Sequence, residues 1–208
     1  MSLLPQIIWP IGSYLLGSIP FGLLFAHCRG IELRKHGSGN IGATNVARVM
    51  GKGWGLLTLA ADLAKGLLPV LGCIWAMAGT ADIDLWIAFT GIGAVMGHCY
   101  SIFFRFRGGK GVATASGVFL GVCPFGVGVA VFTFIVVLKK WGYVSVGSLS
   151  MALFMPILMH FFCPAYELEL MAWVITLIIW IRHRDNIKRL IKGEEKSWGR
   201  GSPVPNSQ

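Results

Sequence analysis

This sequence predicts an all-α integral membrane protein with seven transmembrane helices, some of them short, its N-terminus outside and its C-terminus cytoplasmic. Three observations lead there. Of the 208 residues 55% are apolar and only 13% charged, a balance no soluble domain of this size needs to fill one core. Uncharged or nearly uncharged runs recur along the chain. The loops between them separate by sign: 17 of the 18 Lys and Arg fall in the blocks 29–52, 105–110, 139–140 and 182–200, Lys65 being the exception.

The runs are Leu3 to Cys28, Gly53 to Thr80, Leu85 to Phe104, Val112 to Leu138, Val144 to Ala165 and Leu168 to Ile181. Most are long enough to cross about 30 Å of hydrocarbon, which takes roughly 20 helical residues. The first has no base before it and is about twice as long as a signal-peptide core, so it is expected to stay as a span. Val112 to Leu138, at 27 residues, is long for one span and short for two. Basic blocks flank it on both sides and belong inside, so it crosses an even number of times. In its middle Gly121-Val122-Cys123-Pro124-Phe125-Gly126 is a helix stop followed by a restart. Two short, partly sunken helices meeting at Cys123-Pro124 are therefore expected. The competing count is five spans, with Lys139 and Lys140 outside. The turns at 79–84 and 164–169 carry Asp82, Asp84, Glu167 and Glu169 without a base, which places them outside.

Residues 1–192 read as one polytopic domain, and the polar tail 193–208 is expected to be disordered and cytoplasmic. The 28 glycines, as at Gly12, Gly17 and Gly22 or Gly91, Gly93 and Gly97, suit close helix packing in lipid. The five cysteines stand singly in apolar runs without metal-like spacing, so they read as small core hydrophobes and no metal site is expected. A net charge of +9 confined to loops between spans argues for membrane lipid and against nucleic acid as partner.

Three basic segments with glycine lie on the face assigned to the cytoplasm. The first, Gly37-Ser38-Gly39-Asn40-Ile41-Gly42-Ala43-Thr44-Asn45, leads to Arg48. Glycines let backbone N–H groups turn toward a ligand, a helix starting near Gly42 aims its amides at the same spot, and Arg48 adds a fork of donors. These make a phosphate cradle, or equally an ordinary polar loop before a capped helix. The second joins Gly97-His98 to Gly108-Gly109-Lys110-Gly111-Val112-Ala113-Thr114. A Walker motif is excluded, because no Gly stands at the right distance upstream and Gly111 takes the place of the required Ser or Thr. A patch for lipid headgroups is the plain alternative, although charge alone does not need the glycines. The third is Arg182 to Leu190, where His183 and Asn186 share a helix face. A positive-inside anchor explains its bases but not those two residues. Tyr143, Ser145 and Ser148 follow Lys139-Lys140 at the same boundary, and Asp62 and Lys65 sit three apart inside the second span, where charges are usually paired, interior and functional.

Together and in this order, these segments resemble the PlsY family, membrane acyltransferases that move a fatty acyl group from acyl phosphate to sn-glycerol 3-phosphate. The signature G-S-G-N-x-G-x-T-N-x-x-R stands at Gly37 to Arg48, Gly-His with G-G-K-G-V-A-T at 97–98 and 108–114, Y-V-S-x-x-S at 143–148, and H-R-x-N-I-x-R-L at 183–190. The likeness runs from Gly17 to Glu194. One departure is Ser101, where the family usually has proline, and this is expected to loosen the turn there. The H-x-x-x-x-D pair of acyl-CoA-dependent enzymes is absent, which favours the acyl-phosphate route.

The resemblance implies that Ser38, Asn40, Thr44 and Arg48 bind the donor phosphate, while Lys110, Ser148, His183 and Asn186 hold glycerol 3-phosphate. Ser38, Arg48, Lys110 and His183 are the catalytic candidates. Gly37, Gly39, Gly42, Asn45, His98, Gly108, Gly109 and Ser145 complete the implied binding set. The implied product is 1-acyl-glycerol 3-phosphate, formed in the first committed step of bacterial phospholipid synthesis at the inner membrane, with the site on the cytoplasmic face. No cofactor is implied, and a functional link to the enzyme that makes acyl phosphate is. Apart from His183 no general base stands out, so the donor phosphate is expected to take the hydroxyl proton. A transporter or channel for a phosphorylated solute would use a similar basic pocket but often shows internal repeats, and none is clear here. A lipid-binding scaffold is the third class.

The orientation is testable by single-cysteine labelling with a membrane-impermeant reagent in a cysteine-free background. Positions 82–84 and 167–169 should label in intact cells. Labelling at position 140 from outside would favour five spans.

Overall fold

The computed structural model of the protein describes residues 4–198, and every regular element among them is helical. Helix α1 (Leu4–Gly17) breaks at Ser18-Ile19-Pro20 before α2 (Phe21–His27), since a proline disfavours helical backbone in the residue before it. A polar loop leads to the short α3 (Ala43–Met50), then α4 (Lys52–Ala76) and α5 (Ile83–Cys99). Helix α6 (Val112–Val122) and α7 (Pro124–Trp141) meet at Cys123, with Pro124 in the first turn of α7, where a missing N–H costs nothing. The chain ends with α8 (Val144–Phe162), α9 (Tyr166–Arg182) and α10 (Arg184–Ile191).

Among the described residues five stretches are long and apolar enough to cross a membrane: Gln6–His27, Lys52–Ala76, Ile83–Phe104, Pro124–Trp141 and Val144–Phe162. Helix α9 has 17 residues and α6 has 11. At 1.5 Å per residue α6 covers about 16 Å, roughly half the hydrocarbon thickness. The segment that feeds it is accordingly drawn into the protein, and Gly108, Gly109 and Gly111 are buried.

The core lies among α4 to α9, where Val70, Cys73, Val95, Val118, Met155, Met171 and Ile175 have almost no exposure. Leu68, Trp75, Phe132, Phe161 and Leu177 face outward, as expected of helices apolar on all sides and solvated by lipid. Since lipid tails are as apolar as these side chains, tight association depends on close packing. Glycines supply it in reciprocal pairs. A Cβ on Gly17 of α1 would strike the Ala94 carbonyl of α5, and one on Gly97 of α5 would strike that of Tyr14. Likewise Gly66 of α4 meets the Thr114 carbonyl of α6, and Gly117 of α6 that of Leu63. Gly55 brings α4 against Ala47 and so seats α3. Gly12 faces open space, so not every glycine serves packing.

Inside this bundle the charged pair of α4 is satisfied: Lys65 Nζ lies 2.8 Å from Asp62 Oδ1 and donates to the Ile19 carbonyl at 2.8 Å. His98 Nδ1 is 3.6 Å from the same carboxylate. The turn at Ser101, expected to be loose, is tied instead. Ser101 is buried and its hydroxyl donates to the Ser18 carbonyl at 2.6 Å, joining the end of α5 to the α1–α2 break.

Gly117→Val should therefore destabilise the protein, since overpacking a tight contact costs typically about 1–3 kcal/mol. Thermal unfolding in detergent would show a lowered midpoint for Gly117→Val and none for Gly12→Ala. Equal midpoints would contradict the α4–α6 contact.

Candidate active site

The loop before α3 takes its shape from one side chain. Asn45 is fully buried, its Oδ1 accepts the Ser38 N–H at 2.8 Å, and its Nδ2 donates to the carbonyls of Asn40 (2.8 Å) and His36 (3.2 Å). Its polar atoms are thus committed to the loop, which makes it a staple more than a ligand. Gly37 and Gly39 turn the chain in the left-handed region, φ +62° and +69°. Helix α3 then starts at Gly42 with no side chain capping it, so its first N–H groups stay open to a ligand and its dipole favours an anion. Thr44 and Arg48 lie one turn apart on the same face, and with Ser38 and Asn40 they line a cavity of about 760 Å³.

That cavity has two kinds of wall. Its cationic lining is Arg48, Lys110 and Arg189, beside the uncapped start of α3. Its apolar lining is formed by Leu56 and Leu59 of α4, Val112 of α6, and Val131 and Phe134 of α7. Leu56, Leu59 and Val131 of this lining keep substantial exposure.

Lys110 is half-buried at the mouth of α6. Burial pushes its ammonium down to about 8, the Glu195 carboxylate opposes that shift, and the Arg189 guanidinium adds to it. His183, at the junction of α9 and α10, is 2% exposed. Burial, reinforced by the charge of Lys110, pushes its imidazole down to about 4, so it is neutral near pH 7. Its Nδ1–H donates to the Ile179 carbonyl at 2.8 Å, which leaves Nε2 as the acceptor on a ring that lines the cavity. Asn186 donates Nδ2–H to Glu195 Oε1 at 2.5 Å, and its Oδ1 is buried without a partner among the described residues. Ser145 Oγ, beside the Glu195 carboxylate, is also buried and meets no full hydrogen-bond geometry among the described residues. Buried polar atoms left open in this way are expected where a ligand completes them.

Residues 194–198, which form no regular secondary structure, hydrogen-bond back onto the site. Glu195 accepts from Asn186 and from Arg189 Nε (2.7 Å), Lys196 Nζ donates to the Gly37 carbonyl at 2.7 Å, and the Trp198 N–H donates to that of Gly142 at 2.7 Å. The segment lines the cavity as a strap that ties α10 to the Gly37 loop and to the α7–α8 turn. Burial raises the proton affinity of the Glu195 carboxylate, but hydrogen bonds from Asn186 and Arg189 and the Arg189 charge outweigh it and hold that affinity below the usual range. Residues 199–208 lie outside the described residues.

Of the residues singled out in the sequence, the cavity brings together Gly37, Ser38, Asn40, Gly42, Thr44, Asn45, Arg48, His98, Lys110, Ser145, Ser148, His183 and Asn186. Three do not line it. Gly39 serves the loop turn, while Gly108 and Gly109 are packed against His98 and Cys99 so tightly that neither has room for a Cβ. Sequence reasoning missed Arg189, Glu195, Lys196 and Trp198, and it left Asp62 without a place in the site, although that carboxylate lines the cavity too. The only signal for Glu195 was an acid pair within a strongly basic block.

Known proteins of similar sequence and fold point to one family. The family model described as glycerol-3-phosphate acyltransferase matches residues 7–193. The glycerol-3-phosphate acyltransferase of Geotalea daltonii is 45% identical over 196 residues, 94% of this chain and 98% of that protein. That of Aquifex aeolicus is 44% identical over 191 residues, 89% and 95% of the two chains. Two crystal structures of PlsY (YgiH), an integral membrane glycerol 3-phosphate acyltransferase, superpose on the fold. The glycerol 3-phosphate form has a TM-score of 0.89 at 38% identity, and the lysophosphatidic acid form 0.87 at 37%, each covering 94% of this chain and 96% of the other. A matching family model over nine-tenths of the chain, together with relatives of this identity and coverage, places the protein in the glycerol-3-phosphate acyltransferase (PlsY) family of integral membrane acyltransferases.

Proposed function

We propose that this protein transfers a fatty acyl group from acyl phosphate to the 1-hydroxyl of sn-glycerol 3-phosphate, releasing 1-acyl-glycerol 3-phosphate and inorganic phosphate. The observation that carries this reading is one cavity lined both by the cationic Arg48, Lys110 and Arg189 and by apolar side chains of α4, α6 and α7. Two phosphates and one acyl chain need that combination. The crystal forms of PlsY named for glycerol 3-phosphate and lysophosphatidic acid fit an acceptor and a product of this kind. The reaction would occupy the cytoplasmic face of a bacterial inner membrane that the chain crosses seven times, which suits the basic blocks around the cavity.

In this reading Ser38, Asn40, Thr44, Arg48 and the α3 amides hold the donor phosphate, and Lys110 bridges both phosphates. His183 Nε2 and Asn186 Oδ1 accept from the glycerol hydroxyls, beside Ser145 and Ser148. The acceptor oxygen forms a bond to the acyl carbon while the acyl–oxygen–phosphorus linkage opens on the carbon side. The departing phosphate keeps the electron pair and takes the hydroxyl proton, so no separate base is consumed. Acceleration then comes from placing the two substrates together and from cations already aimed at charge that grows on the leaving group. Since acyl phosphate is the immediate substrate, an enzyme that makes it must act upstream.

Purified protein should use palmitoyl phosphate and fail with palmitoyl-CoA; efficient turnover with the thioester would refute the donor assignment. Removing Arg48 or Lys110 as alanine variants should cost roughly 10²- to 10³-fold, about 2.7 to 4 kcal/mol, as for one lost donor at a transition-state charge. Arg48→Lys should not rescue, because a guanidinium gives phosphate two parallel bonds and an ammonium one point charge. Near-wild-type rates for it would remove the bidentate role.

The pH profile follows from the two shifted groups. Lys110 is charged below about pH 8 and loses its charge above it, so kcat/KM should fall on the alkaline side near pH 8. His183 stays neutral down to about pH 4, and a limb near pH 6 belongs to the substrate phosphates, whose second pKa is about 6. Full activity at pH 10 would show that the Lys110 charge is not needed.

A further inference from the structure

Lys110 reaches the cavity from a backbone segment fastened on both sides, and one of its fasteners has no part in the chemistry above. On one side the N–H groups of Gly108 and Gly109 donate to the carbonyls of Cys99 (3.1 Å) and His98 (2.9 Å), which ties the segment to the end of α5. The two glycine carbonyls point the other way, and a single side chain takes both. Arg182, the last residue of α9, donates Nε–H to the Gly109 carbonyl and Nη2–H to the Gly108 carbonyl, each at 3.0 Å. Its guanidinium lies 5.2 Å from the centre of the Tyr100 ring, and the Tyr100 carbonyl in turn accepts the Tyr14 hydroxyl at 2.9 Å. Arg182 makes no ion pair with a carboxylate among the described residues and does not line the cavity.

We propose that Arg182 is a positioning residue, whose planar fork across the Gly108 and Gly109 carbonyls fixes the backbone from which Lys110 enters the cavity. This rests on the acyl-transfer reading of that cavity. A positive-inside anchor at the end of α9 needs only a charge, and lysine supplies one. Two adjacent peptide carbonyls need two donors in a fixed plane, and only arginine supplies those. The arrangement also refers two site groups to one turn of helix: Arg182 holds the segment carrying Lys110, and His183, the next residue, lines the cavity itself. Misplacement of a substrate-holding group by about 1 Å costs on the order of 10²-fold in rate.

Lys110 is faced by Glu195 of the strap, Asp185 and Arg189 of α10, Arg182 and His183 at the α9 end, and Arg48, Asp62 and His98 across the cavity. Arg182→Lys keeps the charge in this set and removes only the fork. The released segment should let Lys110 swing toward water and regain its proton affinity.

The test compares wild type, Arg182→Lys, Arg182→Gln and, as control, the exposed Arg184→Gln, all purified in detergent with thermal midpoints recorded. Lys110 is acetylated competitively across pH 6–11 and its extent read by mass spectrometry, beside kcat/KM with palmitoyl phosphate and glycerol 3-phosphate over the same range. Expected for Arg182→Lys are an upward move of both the Lys110 labelling midpoint and the alkaline limb by about one pH unit, and a loss of about tenfold to 10²-fold in kcat/KM. Arg184→Gln should match wild type throughout. Unchanged labelling and kinetics in Arg182→Lys would reduce Arg182 to an anchor. Lost activity with an unmoved midpoint would make its role purely structural and overturn the proposal. Should wild type fail to turn over palmitoyl phosphate, the acyl-transfer reading falls, while the labelling midpoint still decides whether Arg182 positions Lys110.

Discussion

A lysine held inside the wall of a membrane protein is the constraint on which the rest of the site depends. Taking an ammonium out of water is costly, and the cost appears in Lys110 as a weakened hold on its proton. The fold offsets this in two ways. Glu195 brings a carboxylate nearby, and the glycine segment around Lys110 is tied by its amides to α5 and by its carbonyls to Arg182. The shortness of α6 follows from the same need, since a full-length span would start at the membrane surface and leave Lys110 in water.

The asymmetry of the cavity follows from where it is built. Its polar parts come from helix ends and loops, at the start of α3, the mouth of α6 and the α9–α10 junction, where backbone groups are open to ligands. Its apolar parts come from helix sides, such as Leu56 and Leu59 of α4 and Val131 of α7. A substrate with a phosphate head and an acyl tail is thus met by the same change of surface that it carries. Glycine pairs between α1 and α5 and between α4 and α6 make this possible by letting the backbones approach closely.

Much of this was legible in the sequence because it depends on local chemistry. Pro124 after a glycine marks a helix break wherever it sits, and α6 and α7 meet there. Ser38, Arg48, Lys110 and His183 were singled out through the likeness of their segments to the PlsY signatures, since spacing alone also allowed a plain polar loop or a headgroup patch. What stayed hidden depends on long-range pairing. Nothing near Asn45 says that its amide will be used up by its own loop, and nothing near Ser101 says that Ser18 will accept its hydroxyl. Glu195 sits in a polar, proline-containing tail and finds Asn186 and Arg189 only once α10 has docked. Arg182 looks like any base at a span end until the carbonyls it holds are seen.

Side-by-side binding of two phosphates in one cavity is most directly tested by phosphorus NMR of the purified protein. Glycerol 3-phosphate would be titrated in the presence of an unreactive acyl phosphonate in place of the donor. The expected result is two bound resonances present together, both lost in Lys110→Ala. Displacement of one ligand by the other, or binding that survives the loss of Lys110, would contradict a shared site built around that lysine.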